Sequence, residues 1–109
     1  YLRAHVTGDS EHLKKAFHAD AKLVFVLEGK LAQMTMSEYA ARFSGRPAED
    51  EAARHREIAS IEIDGNAAAA RMTFDYPTTF TTDFILLLKL SGEWRIVSKS
   101  FFVRMKAKP

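Results

Sequence analysis

Two apolar runs separated by a short polar break dominate residues 81–103. The break, Ser91-Gly92, is typical of a β-hairpin turn. We expect a three-residue loop that ends on Gly92 in the left-handed conformation. The resulting register of the two strands places Lys99 opposite Asp83. Both faces of this hairpin are largely apolar, so each needs a cover. One face would hold Phe84, Leu86, Leu88, Trp94 and Ile96.

Helical spacing and cap residues predict two short helices at the start of the chain. Residues 1–6 have the pattern of a helix end, closed by Gly8. Asp9 or Ser10 then caps a second helix, whose apolar side includes Phe17. We expect His18, Ala19 and Asp20 to form its exit turn.

A short hairpin and a third helix follow. Residues 22–27 and 31–34 have strand composition and are separated by a turn. Thr35 and Glu38 have the spacing of a capping box. The helix that they begin should continue through Phe43 and end at Gly45.

From His55 onward the apolar residues alternate with a period of two, which predicts strands over residues 55–64 and 67–76. Residues 46–54 are polar and loop-like. The order of elements is therefore three helices and a short hairpin, followed by four long antiparallel strands. It favours an α+β fold in which three N-terminal helices pack on one face of a curved, mainly antiparallel sheet.

Three helices can cover only one sheet face, so the second apolar face predicts a partner. The simplest partner is a second copy of the chain. We therefore expect a homodimer that buries the outer face, and name four residues for it: Phe84, Leu86, Trp94 and Ile96.

Length and composition fit one globular domain over residues 1–109. The 109 residues are 47% hydrophobic and 28% charged. The net charge is only +2, and the basic residues cluster only in the tail, at Arg104, Lys106 and Lys108. Phosphate binding needs more cations than this, so we expect no nucleic-acid partner. No apolar run reaches the length of a membrane span.

Cysteine is absent, which excludes disulfides, thiolate catalysis and zinc–thiolate sites. We expect a soluble protein and favour the cytoplasm as its compartment. The chain begins at Tyr1 without a Met, so the start of the first helix should lie upstream, and a signal peptide stays open.

The chain resembles the nuclear transport factor 2-like superfamily, which includes SnoaL-like proteins and ketosteroid isomerase. The resemblance lies in the order of elements and in residues 17–21 and 92–96. Residues 82–89 and 94–101 are most similar to the group called putative lumazine-binding. The resemblance implies a cone-shaped α+β fold with an internal pocket, and it covers nearly the whole chain. It implies no single activity, because the superfamily includes enzymes, transport factors and binding domains.

Residues 1–9 are similar to the first helix of ketosteroid isomerase. The resemblance implies that Tyr1 takes the place of the tyrosine that donates to the oxyanion, and that Asp83 lies near the second donor. Phe25 occupies the position of that enzyme's aspartate base. Because a phenyl ring cannot abstract a proton, we do not expect the same reaction.

Asp83 and Lys99 are interpreted as a cross-strand ion pair at the wall of the pocket. Lys99 should favour the ionised carboxylate, whereas an oxyanion donor must stay protonated. The pair has either a structural role or a ligand-binding role. Tyr1 likewise either packs its ring with a satisfied hydroxyl or donates to a ligand.

The remaining candidates are histidines and aromatic residues. His18 and Asp20 form either an acid–base pair or a set of turn residues. His55 begins a strand beside a polar loop and is either a pocket-rim or a surface residue. His5 and His12 have polar neighbours in sequence. We expect no metal site and no cofactor. The residues expected to bind ligand are Tyr1, Phe17, Phe25, Tyr39, Phe43, Asp83, Lys99 and Phe101.

Three functions stay open. The leading hypothesis is the binding of a small apolar molecule, with Tyr1, Asp83 and Lys99 as polar contacts. The second is an isomerase- or dehydratase-type enzyme that uses Asp83, His55 or Tyr1 for proton transfer. The third is a structural dimerisation domain whose cone is filled by Phe25 and its neighbours.

Overall fold

Three short helices pack on one face of a single six-stranded sheet in the computed structural model, which describes residues 1–107. The elements are α1 (Leu2–Thr7), α2 (Ser10–Ala16), β1 (Phe17–Leu27), β2 (Lys30–Thr35), α3 (Met36–Ala40), a 3-10 turn (Glu51–Ala53), β3 (His55–Asp64), β4 (Ala67–Asp75), β5 (Thr79–Leu90) and β6 (Glu93–Met105). The strand order is β2-β1-β6-β5-β4-β3, and only the β1–β6 pair is parallel. The predicted α+β class and mainly antiparallel sheet are confirmed.

The predicted caps of the first two helices are confirmed. Gly8 ends α1 in the left-handed conformation at φ 71°. A Cβ atom on Gly8 would lie 2.1 Å from the backbone oxygen of Arg46, so this position also requires glycine for space. Asp9 caps α2 by accepting from the backbone N–H of Glu11.

The predicted exit turn after α2 is wrong. The helix ends at Ala16, and Phe17 already belongs to β1, where it pairs with Ile96 of β6. The register of β1 against β6 is irregular between Phe17 and Lys22, which leaves room for a local bond from the Asp20 N–H to Nδ1 of His18. The local hydrogen bond expected of turn residues is therefore present, but it lies inside β1, which is stabilised by pairing with β6.

The third helix starts as predicted and ends early. Thr35 and Glu38 form the full capping box. The regular helix stops at Ala40, and the N–H groups of Arg42 and Phe43 bond to the carbonyls three residues before them. This tighter winding ends the helix before Gly45.

The hairpin register of β5 and β6 differs from the prediction. Ser91 and Gly92 form a two-residue loop with φ values of 51° and 81°, the two left-handed conformations of a type I′ turn. Beyond the turn, the register shifts so that Val97 has no partner on β5. Asp83 therefore lies opposite Phe101, and Lys99 lies opposite Ile85. The two charged residues are diagonal neighbours and not a direct pair.

This register corrects the predicted dimer face. Phe84 and Leu86 are exposed on the outer face as predicted, at 55% and 53%. Ile96 instead lies opposite Leu87 on the helix-covered side and is buried, and Trp94 shares its side of the strand. Because the loop has two residues and not three, the β6 residues between the turn and the bulge point to the face opposite to the predicted one. The outer face of β5 and β6 presents these exposed large apolar residues: Phe84, Leu86, Leu88 and Phe102.

The core lies between the helices and the inner face of the sheet. Its fully buried large residues come from α2, β1 and β5, and they include Leu13, Phe17, Leu23 and Ile85. On β4, Ala70, Met72 and Phe74 point to this core, as the alternation predicts. Asp83 and Lys99 are the only buried charged or polar residues among residues 1–107.

The predicted basic tail is only partly described. Arg104 lies within β6, Lys106 forms a salt bridge with Asp75 at 2.5 Å, and Lys108 lies outside the described residues. Within residues 1–107, every helix is too short or too polar to cross a membrane.

Candidate ligand-binding site

A buried ion pair forms the polar centre of the inner face. Asp83 comes from β5 and Lys99 from β6, and their side chains are almost inaccessible. Oδ2 of Asp83 lies 3.2 Å from Nζ of Lys99. The ion pair that the sequence predicted is thus formed, although across a diagonal.

Two tyrosines complete the bonding of this pair. Tyr1 donates its hydroxyl proton to Oδ2 of Asp83 at 2.8 Å. Lys99 donates to the hydroxyl oxygens of Tyr1 at 2.5 Å and Tyr39 at 2.9 Å. Of the three N–H donors of the ammonium, two bond to the tyrosines, and the charge is paired with Asp83. The rings of Tyr1, Tyr39 and Phe101 also lie within 5.3 Å of Nζ, where cation–π attraction operates.

His5 extends the network, although its polar neighbours in sequence gave no hint of this. Its Nε2 lies 3.2 Å from the hydroxyl of Tyr39, and its ring packs 4.8 Å from Tyr1 and 4.9 Å from Phe74. Burial, followed by the charges of Lys99 and Arg56, lowers the pKa of His5 from 6.5 to about 3. The neutral ring can therefore accept the proton of Tyr39. The signal for His5 was its spacing of four from Tyr1, which places both on one helix face.

Burial also raises the pKa of the two acidic groups of the network, Asp83 and Tyr1. Burial raises the pKa of Asp83, while Lys99 and the hydroxyl of Tyr1 oppose this rise. The sequence predicted the effect of Lys99 correctly and missed the larger effect of burial. Burial, with the neighbouring Tyr39 and Asp83, raises the pKa of Tyr1 well above 10, so its hydroxyl stays protonated.

A cavity of about 220 Å³ lies above this network. Most of its wall is apolar or aromatic. The lining residues are His5, Leu23, Met34, Tyr39, Arg42, Arg54, Phe74, Tyr76, Thr81, Asp83, Lys99, Phe101 and Val103.

One oxygen of Asp83 is available to this cavity. Both contacts of the carboxylate, from Tyr1 and from Lys99, involve Oδ2. Throughout the described residues, no fully buried side-chain polar atom lacks a partner. Oδ1, which has none, is therefore accessible from the cavity that Asp83 lines. It can accept a hydrogen bond from a ligand.

The structure divides the predicted site residues into two groups. Those that line the cavity are Tyr39, Asp83, Lys99 and Phe101. The remaining five do not line it: Tyr1, Phe17, Phe25, Phe43 and His55.

Among the second group, Tyr1 lies behind the cavity wall and orients Asp83. Phe17 packs edge-on against Tyr1 at 5.2 Å, and Phe43 packs against Tyr39 at 5.3 Å. Phe25 stacks on Phe101 at 4.8 Å. These aromatic rings support the wall and leave the cavity open.

His55 does not line the cavity and lies on the surface, which is the second of the two positions expected for it. It is exposed at the start of β3, while the next residue, Arg56, points toward the site. Arg56 binds Glu51 through two bonds of 2.7 and 2.8 Å and donates to the hydroxyl of Tyr76 and the carbonyl of His5. Because side chains alternate along a strand, only one of these neighbours can face the site.

Several lining residues escaped the sequence analysis. Thr81 lies two residues before Asp83, and Val103 lies two residues after Phe101, so the alternation along each strand was the available signal. Tyr76 likewise lies two residues after Phe74, near the mouth of the cavity where the end of that strand was expected. Arg54 has no such signal, because the fold of the 46–54 segment decides its position. Within residues 1–107, no group of three or more His, Asp or Glu side chains is placed to hold a metal ion.

Residues 1–102 match the family described as "Putative lumazine-binding". A solved structure from Methylobacillus flagellatus KT, an NTF2-like protein of unknown function, is 32% identical to the chain. The match covers 95% of this chain and 83% of that chain, with a TM-score of 0.79. A curated relative from Cladobotryum sp, named aldolase FrzH, is 25% identical over 101 residues, which are 93% of this chain and 81% of that protein.

A second similar structure is the association domain of CaMKII from C. elegans. It has a TM-score of 0.67 and 16% identity, and the match covers 92% of this chain and 84% of that chain. At this identity the likeness shows the fold alone.

The low pKa of His5 predicts that acid destabilises the fold. The folded state binds fewer protons than the unfolded chain, whose histidine titrates near 6.5, so this contribution to stability is lost as the pH falls from 6.5 toward 3. Between pH 6.5 and pH 5 the expected loss is about 2 kcal/mol. Urea unfolding at both pH values measures it.

His5→Gln should flatten this pH dependence, because the titrating ring is removed. His55→Gln is the matched control, since His55 is exposed and outside the site. An unchanged slope in His5→Gln would show that another group causes the acid sensitivity.

Proposed function

We propose that this chain, which belongs to the "Putative lumazine-binding" family of NTF2-like proteins, binds a small, mostly apolar molecule inside its cone. The main support is the free Oδ1 of Asp83 at a cavity whose wall is mostly apolar or aromatic. Concave apolar sites with a few convergent polar groups are typical of ligand binding. The ligand would present an O–H or N–H donor to Asp83.

The size of the cavity favours a small ligand. Drug-sized ligands occupy pockets of about 300–1,000 Å³, and this cavity has about 220 Å³. The structural-domain hypothesis predicted a cone filled by Phe25 and its neighbours. The stacking of Phe25 on Phe101 leaves the volume open, which supports binding over a purely structural role.

The bonding of the polar centre supports the same function. Tyr1, Tyr39 and Asp83 surround the ammonium of Lys99, so we expect the ligand to meet Asp83 and not Lys99. The network is rigid because each member is bonded to at least one other. A rigid acceptor in an apolar wall can select ligands by the position of their donor.

Asp83→Asn should weaken the binding of 4-methylphenol about tenfold, because a neutral amide oxygen accepts a weaker bond than a carboxylate. The phenol matches the proposed ligand in having an apolar body and one donor. Chemical-shift titration by NMR measures the affinity. Asp64→Asn, at the exposed end of β3, is the matched control and should bind normally.

Val103→Trp tests the same site without touching the ion pair. Val103 lines the cavity and is partly exposed, so an indole there should fill the space while the fold is kept. Normal 4-methylphenol binding in both Asp83→Asn and Val103→Trp would contradict the site assignment.

A second candidate function is proton transfer at Asp83, in an enzyme of isomerase, dehydratase or aldolase type. Its support is that burial raises the pKa of a carboxyl group with a free oxygen at the cavity. A relative of this chain is named an aldolase, a class that removes a proton beside a carbonyl group. Of the three candidates, His55 and Tyr1 do not line the cavity, so Asp83 remains.

If Asp83 is a base, the protein should exchange the α-protons of cyclohexanone with deuterium from D₂O faster than buffer does. The rate should rise with pH through the raised pKa of Asp83, because only the carboxylate accepts a proton. Asp83→Asn should abolish the exchange, which NMR measures directly, and Asp64→Asn should keep it. Exchange at the rate of buffer in the native protein would leave binding as the function.

We propose that the homodimer forms through the outer sheet face, with the residues that the structure places on that face. Phe84, Leu86, Leu88 and Phe102 form an exposed apolar surface on the central strands β5 and β6. A stable interface between two copies buries about 1,600 Å² in total. The face has no cover within residues 1–107, since all three helices pack on the other side.

Phe84→Asp should convert the dimer to a monomer, because it places a charge in the centre of the proposed interface. Sedimentation equilibrium measures the mass. Ile63→Asp is the control, since Ile63 is 64% exposed but lies on the other side of the sheet. A monomeric native protein, or a dimer that survives in Phe84→Asp, would exclude this interface.

A further inference from the structure

Two guanidinium groups lie near the ring of Tyr76 at the cavity, and they differ in their free donors. The central carbon of Arg54 lies 4.1 Å from the ring centroid, and that of Arg56 lies 5.1 Å from it. Arg56 uses all three of its nitrogens, in bonds to Glu51, Tyr76 and His5. Its role is to hold the 3-10 turn against the site.

Arg54 has a different set of bonds. Its Nε donates to Oδ1 of Asp50 at 2.7 Å. Its two Nη groups have no hydrogen-bond partner in the part of the chain that the structure describes. The guanidinium is therefore fixed at one nitrogen and by contact with Tyr76, while the other two nitrogens are free.

This arrangement suits an anion. A guanidinium that is stacked on an aromatic ring loses little freedom on binding, and its planar fork matches the two oxygens of a carboxylate. The side chain of Arg54 is only 25% exposed, so its bonds are less screened than those of a surface arginine. Arg54 also lines the cavity.

The charges around the cavity favour the same ligand. Its charged lining residues are three cations, Lys99, Arg42 and Arg54, and one carboxylate, Asp83. Asp83 compensates Lys99 directly. Asp50 compensates Arg54 only in part, because it is itself 45% exposed. An anionic ligand would therefore enter a positive field.

We propose that Arg54 is the anion-binding residue of the cavity and that the ligand is a small aromatic or aliphatic carboxylate. The carboxylate binds the two Nη groups of Arg54, the apolar body lies against the aromatic wall, and an O–H or N–H donor at the far end meets Oδ1 of Asp83. The inference rests on the proposed binding function and specifies its ligand class. It adds a charged contact that the apolar-ligand hypothesis lacks.

The test compares 4-hydroxybenzoate with 4-hydroxybenzamide. The two have nearly the same shape and the same phenol donor, and only the first has a charge. The native protein should bind the benzoate at least tenfold more tightly, and the difference should shrink at high salt. Isothermal titration calorimetry measures both affinities.

Three arginine variants separate charge from geometry. Arg54→Gln should remove the tenfold preference, and Arg54→Lys should restore only part of it, since lysine keeps the charge and loses the fork. Arg3→Gln is the control, because Arg3 is exposed on α1 and does not line the cavity. It should bind both ligands like the native protein, and an unchanged midpoint of urea unfolding shows that all three variants are folded.

Two outcomes would overturn the inference. If the amide binds as well as the acid and Arg54→Gln changes neither, the cavity takes neutral ligands, and the proposed binding function stands without the anion site. If 4-methylphenol binds and 4-hydroxybenzoate does not, the positive field is not used for binding. If the native protein fails to bind 4-methylphenol, the proposed binding function itself is contradicted.

Discussion

The burial of the Asp83–Lys99 pair is the constraint on which the rest of the structure depends. Two charges taken out of water are tolerated only when they are paired and their remaining donors and acceptors are bonded. Removing one partner of such a pair typically costs about 3–5 kcal/mol. Tyr1 and Tyr39 supply the remaining bonds, and they come from the start of α1 and from α3. The pair therefore fixes the helices on the sheet, and not only the two strands that contain it.

The same constraint produces the candidate site. The helix residues that satisfy Lys99 leave one oxygen of Asp83 free, and the aromatic rings that support them build an apolar wall beside it. The bulge at Val97 is part of this arrangement, because it shifts β6 so that Ile96 and Lys99 both face the core. Binding, proton transfer and anion selection are thus three possible uses of one polar centre, and they differ in which neighbouring side chain the ligand contacts.

Local sequence signals predicted those features that local physics controls. Gly8, the capping box of Thr35 and Glu38, and the period of two after His55 each act within a few residues, and the structure has them where predicted. The α+β class follows, because helical and strand periods occur in separate blocks. The resemblance to the NTF2-like superfamily is also confirmed by the comparisons.

The predictions from the sequence failed where segments that are distant in sequence meet. The extended backbone of residues 17–21 depends on pairing with β6, and the side on which Ile96 lies depends on one extra residue in a turn or a bulge. The sequence predicted that Asp83 and Lys99 would meet, since both lie on the same face of one hairpin in either register. It did not place His5 or Arg54 at the cavity, because their segments reach the site through contacts that are distant in sequence. The sequence by itself determined the elements, the helix caps and the presence of an ion pair between Asp83 and Lys99, because these depend on local geometry and composition. Only the tertiary structure decided which groups surround that pair, because hydrogen bonds and burial between distant segments do not follow any local period.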